Sequence, residues 1–523
     1  MAKTKTLKWA PANAAVFIAA AFFAAAALAA LLTAACDDTD KSGGDGLAVT
    51  NVDFIAEDNG QNSVTTGRLR IWFNEDIQGL KADDIKLNAS FAIIRQGFAR
   101  KGPAFYELGI TPGGSGQIMV GLDPYNPSRW KWKAKTINVF TVFHFTGTSA
   151  LTITRYNGKG GKTKIPEKIA GIPVTAVGDG AFNNRSLTEL VMPDTLETIG
   201  RLAFANNELT SVIIPGGVKS IGAGAFSSNK LADVEISPGV TTIGDEAFNN
   251  NQLESVTIPE NVASIGRLAF ANNKLSVIVI PDNIVNIGQS AFQGNRLISV
   301  DIPKNIKTIA AGLFSHNMLM SVTIHDKIES IGAYAFDYNR LTGVTIPASV
   351  ISIGNNAFAF NMLAGVELSQ GLESIGISAF AYNKLEDIEL PGSLKDIKDN
   401  AFENNNLTAV TIGGDVSIIG KNAFANNNLT DITIGDKVTS IGDYSFQNNR
   451  LSGVIIPDNV KFIGEYAFRG SQLTGITIGD EVSLGRNAFG DGFEVLYKAL
   501  GKAAGVYTRS GADSTEWHFS AGT

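Results

Sequence analysis

The sequence predicts a solenoid of about fifteen 22-residue coils, α/β in class but built mostly on short parallel β-strands, behind a small all-β sandwich. Three observations carry that prediction. A phenylalanine returns every 22 residues from Phe182 to Phe468, and Phe489 follows after 21; a fixed period of this size marks stacked supersecondary units rather than one closed globule. Columns of like residues keep the same register: Val or Ile from Val212 to Ile476, Ile or Leu from Ile214 to Ile478, and Ile from Ile199 to Ile463. From roughly Leu47 to Phe145 the period is absent, and short runs of alternating polar and apolar residues stand between Gly, Pro and Asn, as antiparallel strands require.

Within one coil, Leu209, Val212 and Ile214 have the spacing L-x-x-L-x-L, whose last pair alternates with period two and predicts a short strand with those side chains inward. Pro215 ends it by withholding an amide, and Gly413, Gly435 or Gly479 do so elsewhere by permissiveness. Val218 to Ile221 is a second extended or tight-turn segment, and Ala225-Phe226 is expected in a single helical turn behind the sheet. The few apolar side chains of one coil cannot offset the entropy of ordering it, so coils must share faces with their neighbours and both ends need covering. Asn207 recurs at the same position as far as Asn449, and the row stops at Ser471 and Gly492. An amide repeated at a turn suggests bonds to the backbone of adjacent coils; a row of ligand-binding amides is the other reading.

The unit A-F-x-x-N-x-L-x-x-V-x-I-P-x-x-V-x-x-I-G resembles the BspA-type, or Treponema pallidum-type, leucine-rich repeat over about residues 148 to 490. The resemblance implies a leucine-rich repeat solenoid with a curved parallel sheet. It also implies a non-enzymatic bacterial surface protein that binds host matrix proteins such as fibronectin or fibrinogen, or other bacteria.

Residues 1–36 read as an export signal: Lys3, Lys5 and Lys8 form a positive start, Ala14 to Leu32 an apolar run, and small residues precede Cys36, the only cysteine. That is the layout of a lipoprotein cleaved before and lipidated on Cys36, although Thr33 stands where leucine is usual. An uncleaved membrane-spanning helix is the alternative. Either way the mature protein is expected outside the cytoplasm, on the outer membrane or cell surface, with no intramolecular disulfide. Residues 37–46 form a Gly-rich polar tether; Asp38, Asp40, Ser42 and Gly43 mimic the start of a calcium loop, but Val49 stands where the closing glutamate should be. Residues 47–145 form the sandwich. Its Phe73-to-Ile85 stretch resembles immunoglobulin-like domains that precede repeats in treponemal surface proteins. Trp130 and Trp132 read as packing residues or as a sugar-stacking platform. Residues 146–180 are expected to cap the solenoid's start, 181–490 to form its coils, and 491–523, with Tyr497, Tyr507 and Trp517, to cover its last edge.

No catalytic or metal-binding constellation appears: the four histidines share no repeat position, and no cofactor is implied. Gly158 to Thr163 departs from a phosphate loop, having Tyr156 where the first glycine is needed. A net charge of -7 argues against nucleic acid as a partner. The variable positions point away from the core along the strands. One outward column contains Glu235, Thr257, Asp301, Thr323, Thr345, Glu367, Glu389, Thr411 and Thr433; its neighbour contains Asp233, Asp387 and Asp431. At ~4.8 Å per strand this Thr/Ser face with acidic islands runs about 70 Å, a surface suited to a basic segment of a partner protein. Solvated strand threonines that bind nothing are the plain alternative. The functional expectation is a lipid-anchored adhesin-like protein; a structural envelope lipoprotein without a host ligand is the runner-up.

Overall fold

The computed structural model describes residues 49–57, 66–73, 80–82, 85–89, 93–102, 105–112, 116–122, 135–139, 142–490 and 492–521. Cys36, the leader and the tether lie outside them, as do Trp130 and Trp132. The elements described before residue 142 are antiparallel β-strands. Val49–Glu57, Thr66–Phe73, Phe105–Pro112 and Ile93–Gly102 form one antiparallel sheet in that order. Ile85–Ala89, Gly116–Leu122 and Lys135–Val139 form a second. Inward residues pair across the first sheet, Leu69 opposite Leu108 and Ile71 opposite Tyr106, all buried, which is why the alternating run at 68–73 becomes a strand.

The coils stack through three lines of backbone bonds. Along one side, two-residue strands such as Ser220–Ile221 pair in parallel with the same two residues one coil on. They form two long sheets, one running from Phe143–Thr146 to Asn286–Ile287 and the other from Thr308–Ile309 to Ser483–Leu484. Along the second side lie the strands Ser211–Ile214, Asp233–Ile236 and their equivalents. On the third, each phenylalanine amide donates to the carbonyl before the next phenylalanine, as from Phe204 N to Ala225 O at 2.8 Å.

Two local expectations change. The Val218-to-Ile221 segment forms the more continuous sheet, whereas the Val212-to-Ile214 strands survive as short pairs and two isolated bridges, Thr257 to Val279 and Asp301 to Thr323. Proline at 215, 259, 281 and 303 removes a ladder donor there, while Gly lets coils close up on the other side. A Cβ at Gly288 would meet Arg267 N at 2.4 Å. Ala310 and Lys398 stand at that glycine position; the sheet breaks before Ala310 and continues through Lys398, so glycine eases the approach without being required for it. Secondly, Ala225-Phe226 sits in a turn instead of a helical turn, flanked by positive φ at Gly224 (62°) and Ser228 (55°).

The core is the expected column. Consecutive phenylalanine rings from Phe182 to Phe489 stack with centroids 5.0 to 5.8 Å apart, and nearly all are fully buried. Asn207 shows why the amide row exists. Its Oδ1 accepts from Leu187 N at 3.1 Å in the coil before, and its Nδ2 donates to Phe182 O at 2.8 Å and Phe204 O at 2.9 Å. The same set repeats through Asn449, so the row is a backbone clamp.

At the N-terminal end Phe143–Thr146 pairs antiparallel with Leu151–Tyr156, and Tyr156 stacks on Phe182 at 4.9 Å. At the far end Gly505–Thr508 pairs antiparallel with Gly475–Ile478, and His518–Ala521 adds outside it. A helix, Phe493–Ala499, which the sequence pattern did not announce, brings Phe493 against Phe489 at 4.8 Å; Tyr507 and Trp517 pack edge-on to Phe493.

Candidate functional site

All twelve candidate residues, Asp233, Glu235, Thr257, Asp301, Thr323, Thr345, Glu367, Asp387, Glu389, Thr411, Asp431 and Thr433, are exposed. Parallel register puts them on one face: Glu235 follows Ile213, Thr345 faces Glu367, and Thr411 faces Thr433 across single strand gaps. Their neighbours Val212, Ile214, Val410 and Ile412 point into the core. This follows from the period of two in a strand.

The middle of this face is grooved. One open cavity of about 750 Å³ is lined by Thr323, Thr345, Glu367 and Asp387 among others. A second, of about 720 Å³, is lined by Glu367, Asp387, Glu389 and Thr411. Two causes combine. Gly343 and Gly365 put no side chain on the outward column, and Asp387–Leu390 forms no ladder strand between Gly365–Glu367 and Ala409–Ile412. The glycines were visible in the sequence; the missing strand was not.

Some acids outside this face carry lysine partners that the acids of this face lack. On neighbouring sides carboxylates pair with lysines one coil away, as Asp282 with Lys304 at 2.7 Å, Glu329 with Lys307 at 2.8 Å and Glu373 with Lys395 at 2.9 Å. The lysine keeps the Asp282 carboxyl below its ordinary range, chiefly through a hydrogen bond. Among the described residues no ion pair reaches Asp233, Glu235, Asp301, Asp387, Glu389 or Asp431. Only Glu367 is occupied, accepting from Thr345 Oγ1 at 3.0 Å. Apolar residues interrupt the face at Ile213, Val277, Val279 and Ile455, each more than 60% exposed.

Two of the histidines already have partners of their own. His144 bonds Asn157 at 2.5 Å, and burial, then Arg155, lowers its pKa; His325 bonds Pro303 O at 2.9 Å. No group of three or more potential metal ligands occurs among the described residues.

A parallel-stranded solenoid of Phe-centred coils clamped by asparagine defines the class: this chain belongs to the BspA-type leucine-rich repeat family, whose repeat region matches residues 175–298, 264–386 and 373–493. Among solved structures it is similar to a leucine-rich cell surface protein from Faecalibacterium prausnitzii, at 25% identity over 66% of this chain and 84% of that one, TM-score 0.36. A leucine-rich repeat protein from Bacteroides ovatus shares 21% over 67% and 91%, TM-score 0.43. The leucine-rich repeat protein of T. pallidum shares 24% over 38% and 86%, TM-score 0.26. No curated protein matches the chain in sequence.

Proposed function

We propose that this is an exported, lipid-anchored, adhesin-like protein whose strand face binds other proteins through basic segments. One observation carries the reading: the carboxylates at Asp387 and Glu389 open onto grooves and, unlike Asp282 and Glu373, have no lysine paired with them. An exposed acid left without a cation is free to meet one on a partner, and such complementarity governs on-rate and specificity. Family membership supports a scaffold that presents surface rather than a catalytic cleft. The leader ending at Cys36 supports lipid anchoring, with residues 47–145 as a stalk. The ligand class is host matrix protein or the surface of another cell.

The test measures binding of the full mature chain to immobilised fibronectin and fibrinogen. Binding should weaken about three- to tenfold in Asp387→Asn/Glu389→Gln and fall with added salt. Equal affinity for the double variant would remove the strand face from the argument. Protease applied to intact cells should degrade the solenoid; degradation only after lysis would instead make it an envelope component that never meets a host.

A further inference from the structure

The turn side of the coils carries a second feature. His316, Tyr338, Phe360 and Tyr382 occupy one position on four successive coils, and their rings stack at 4.6, 4.4 and 4.5 Å. Tyr338, Phe360 and Tyr382 remain 47%, 36% and 45% exposed. All four have positive φ, between 49° and 57°, a conformation bulky residues rarely take. The coils on either side place Gly294 and Asn404 there, which adopt it readily. Inside the column each ring covers its neighbour. At the His316 end, Gly294 has no side chain to cover the outer face of the imidazole.

Beside that ring opens a cavity of about 400 Å³ whose lining includes Gln289, Ser290, Gln293, His316, Tyr334 and Asp337. Asp337 is the exceptional residue. Equivalent positions hold alanine in five coils, such as Ala359 and Ala381, and polar residues in others, among them Gln293, Ser315 and Glu403; Asp337 is the acid of this row that is almost fully buried. Asp337 is 4% exposed, and its Oδ1 has no hydrogen-bond partner. Burial pushes its pKa up, opposed by Ser315 and by His316. Ser315 Oγ lies 2.8 Å from His316 Nδ1, but among the described residues no hydrogen bond joins Asp337 to the imidazole, so these groups do not form the relay of acyl transfer.

The cavity offers one group that, ionised, only accepts, the Asp337 carboxylate, beside side-chain amides and hydroxyls that can accept as well as donate, and an open aromatic face. A guanidinium is the complementary group, with five donors and no acceptor, a flat shape that stacks on rings, and weaker hydration than an ammonium. We propose that this cavity receives the arginine side chain of a partner protein, stacked on the free face of His316 and paired with the Asp337 carboxylate. The site lies off the strand face, and its failure or success leaves the acidic-groove reading untouched.

The experiment titrates the full chain with Nα-acetyl-arginine methylamide, its neutral citrulline counterpart and agmatine, following the His316 and Tyr338 ring signals by NMR. The arginine probe should bind roughly ten- to hundredfold more tightly than the citrulline probe, and Asp337→Asn should abolish that preference. Asp337→Ala, which installs what Ala359 already is, checks the fold: its thermal midpoint should not fall. Equal binding of arginine and citrulline probes, or undiminished binding to Asp337→Asn, overturns the proposal. So does agmatine binding tenfold more tightly than the blocked arginine, which would make the ligand a free small molecule. A lower midpoint for Asp337→Ala would make the carboxylate structural and overturn it as well.

Discussion

Replacing Asn383 with alanine tests what holds one coil to the next. Asn383 Oδ1 accepts from Leu363 N at 3.0 Å; Nδ2 donates to Phe358 O at 2.9 Å, Phe380 O at 3.1 Å and Ala381 O at 3.3 Å. The carbonyls are insured, because Phe358 O also takes a bond from Asn361 and Phe380 O one from Asn405. The Leu363 amide is not, since Asn383 is the acceptor it has. The loss is therefore one orphaned buried donor, about 1 to 3 kcal/mol, plus weakened carbonyl bonds, giving about 2 to 4 kcal/mol in all. Because a solenoid's stability is a sum over neighbour interfaces, the loss should concentrate at one junction. Denaturant unfolding gives the total, and hydrogen exchange should show the Leu363 amide losing protection while amides several coils away keep theirs. A change below about 0.5 kcal/mol, or unaltered exchange at Leu363, would mean the amide row is decoration on a stack held by its apolar column alone.

Phe336→Ala removes a fully buried ring stacked at 5.8 Å on Phe314 and 5.3 Å on Phe358, and should cost about 3 to 5 kcal/mol in calorimetry. Tyr507 of the C-terminal cap has its pKa pushed up to about 12 by burial, with Tyr497 adding to it. The folded state thus favours the neutral phenol, and the stability that this gives, complete below pH ~10, drains away as pH climbs toward 12. Ultraviolet titration should show one phenol ionising late, together with loss of the cap's near-ultraviolet circular dichroism. Tyr507→Phe should remove that late step.

Legibility in this chain follows periodicity. Every core column, Phe182 through Phe489 included, could be read because the coil repeats the same packing problem and its answer recurs in register. The asparagine clamp was readable for the same reason. Positive φ was not: the position of Asn206 is filled elsewhere by Ser228, Gly294, His316 and Phe360, so its backbone requirement leaves no uniform residue type. The dominance of the Ser220–Ile221 side was hidden as well, because two-residue strands carry too little alternation to stand out against the longer Leu209-to-Ile214 run. Trp130 and Trp132, and the fate of Cys36, lie outside the described residues.

Both proposed surfaces are departures from the repeat at positions the fold does not use. The outward strand positions bear no packing duty, as Thr345, Glu367 and the exposed Val279 show by standing interchangeably in one column. The position of Asp337 is different, because five other coils fill it with alanine while a buried carboxylate without a full set of partners works against stability. A solvated acid such as Glu389 needs no explanation beyond solubility, and only its place on the groove makes it informative. Asp337 needs an explanation whether or not a partner exists, because leaving water without compensation is a cost the equivalent alanines avoid. If a ligand supplies that compensation, binding and stability are linked, and the arginine probe should raise the thermal midpoint of the wild-type chain while leaving Asp337→Ala unmoved.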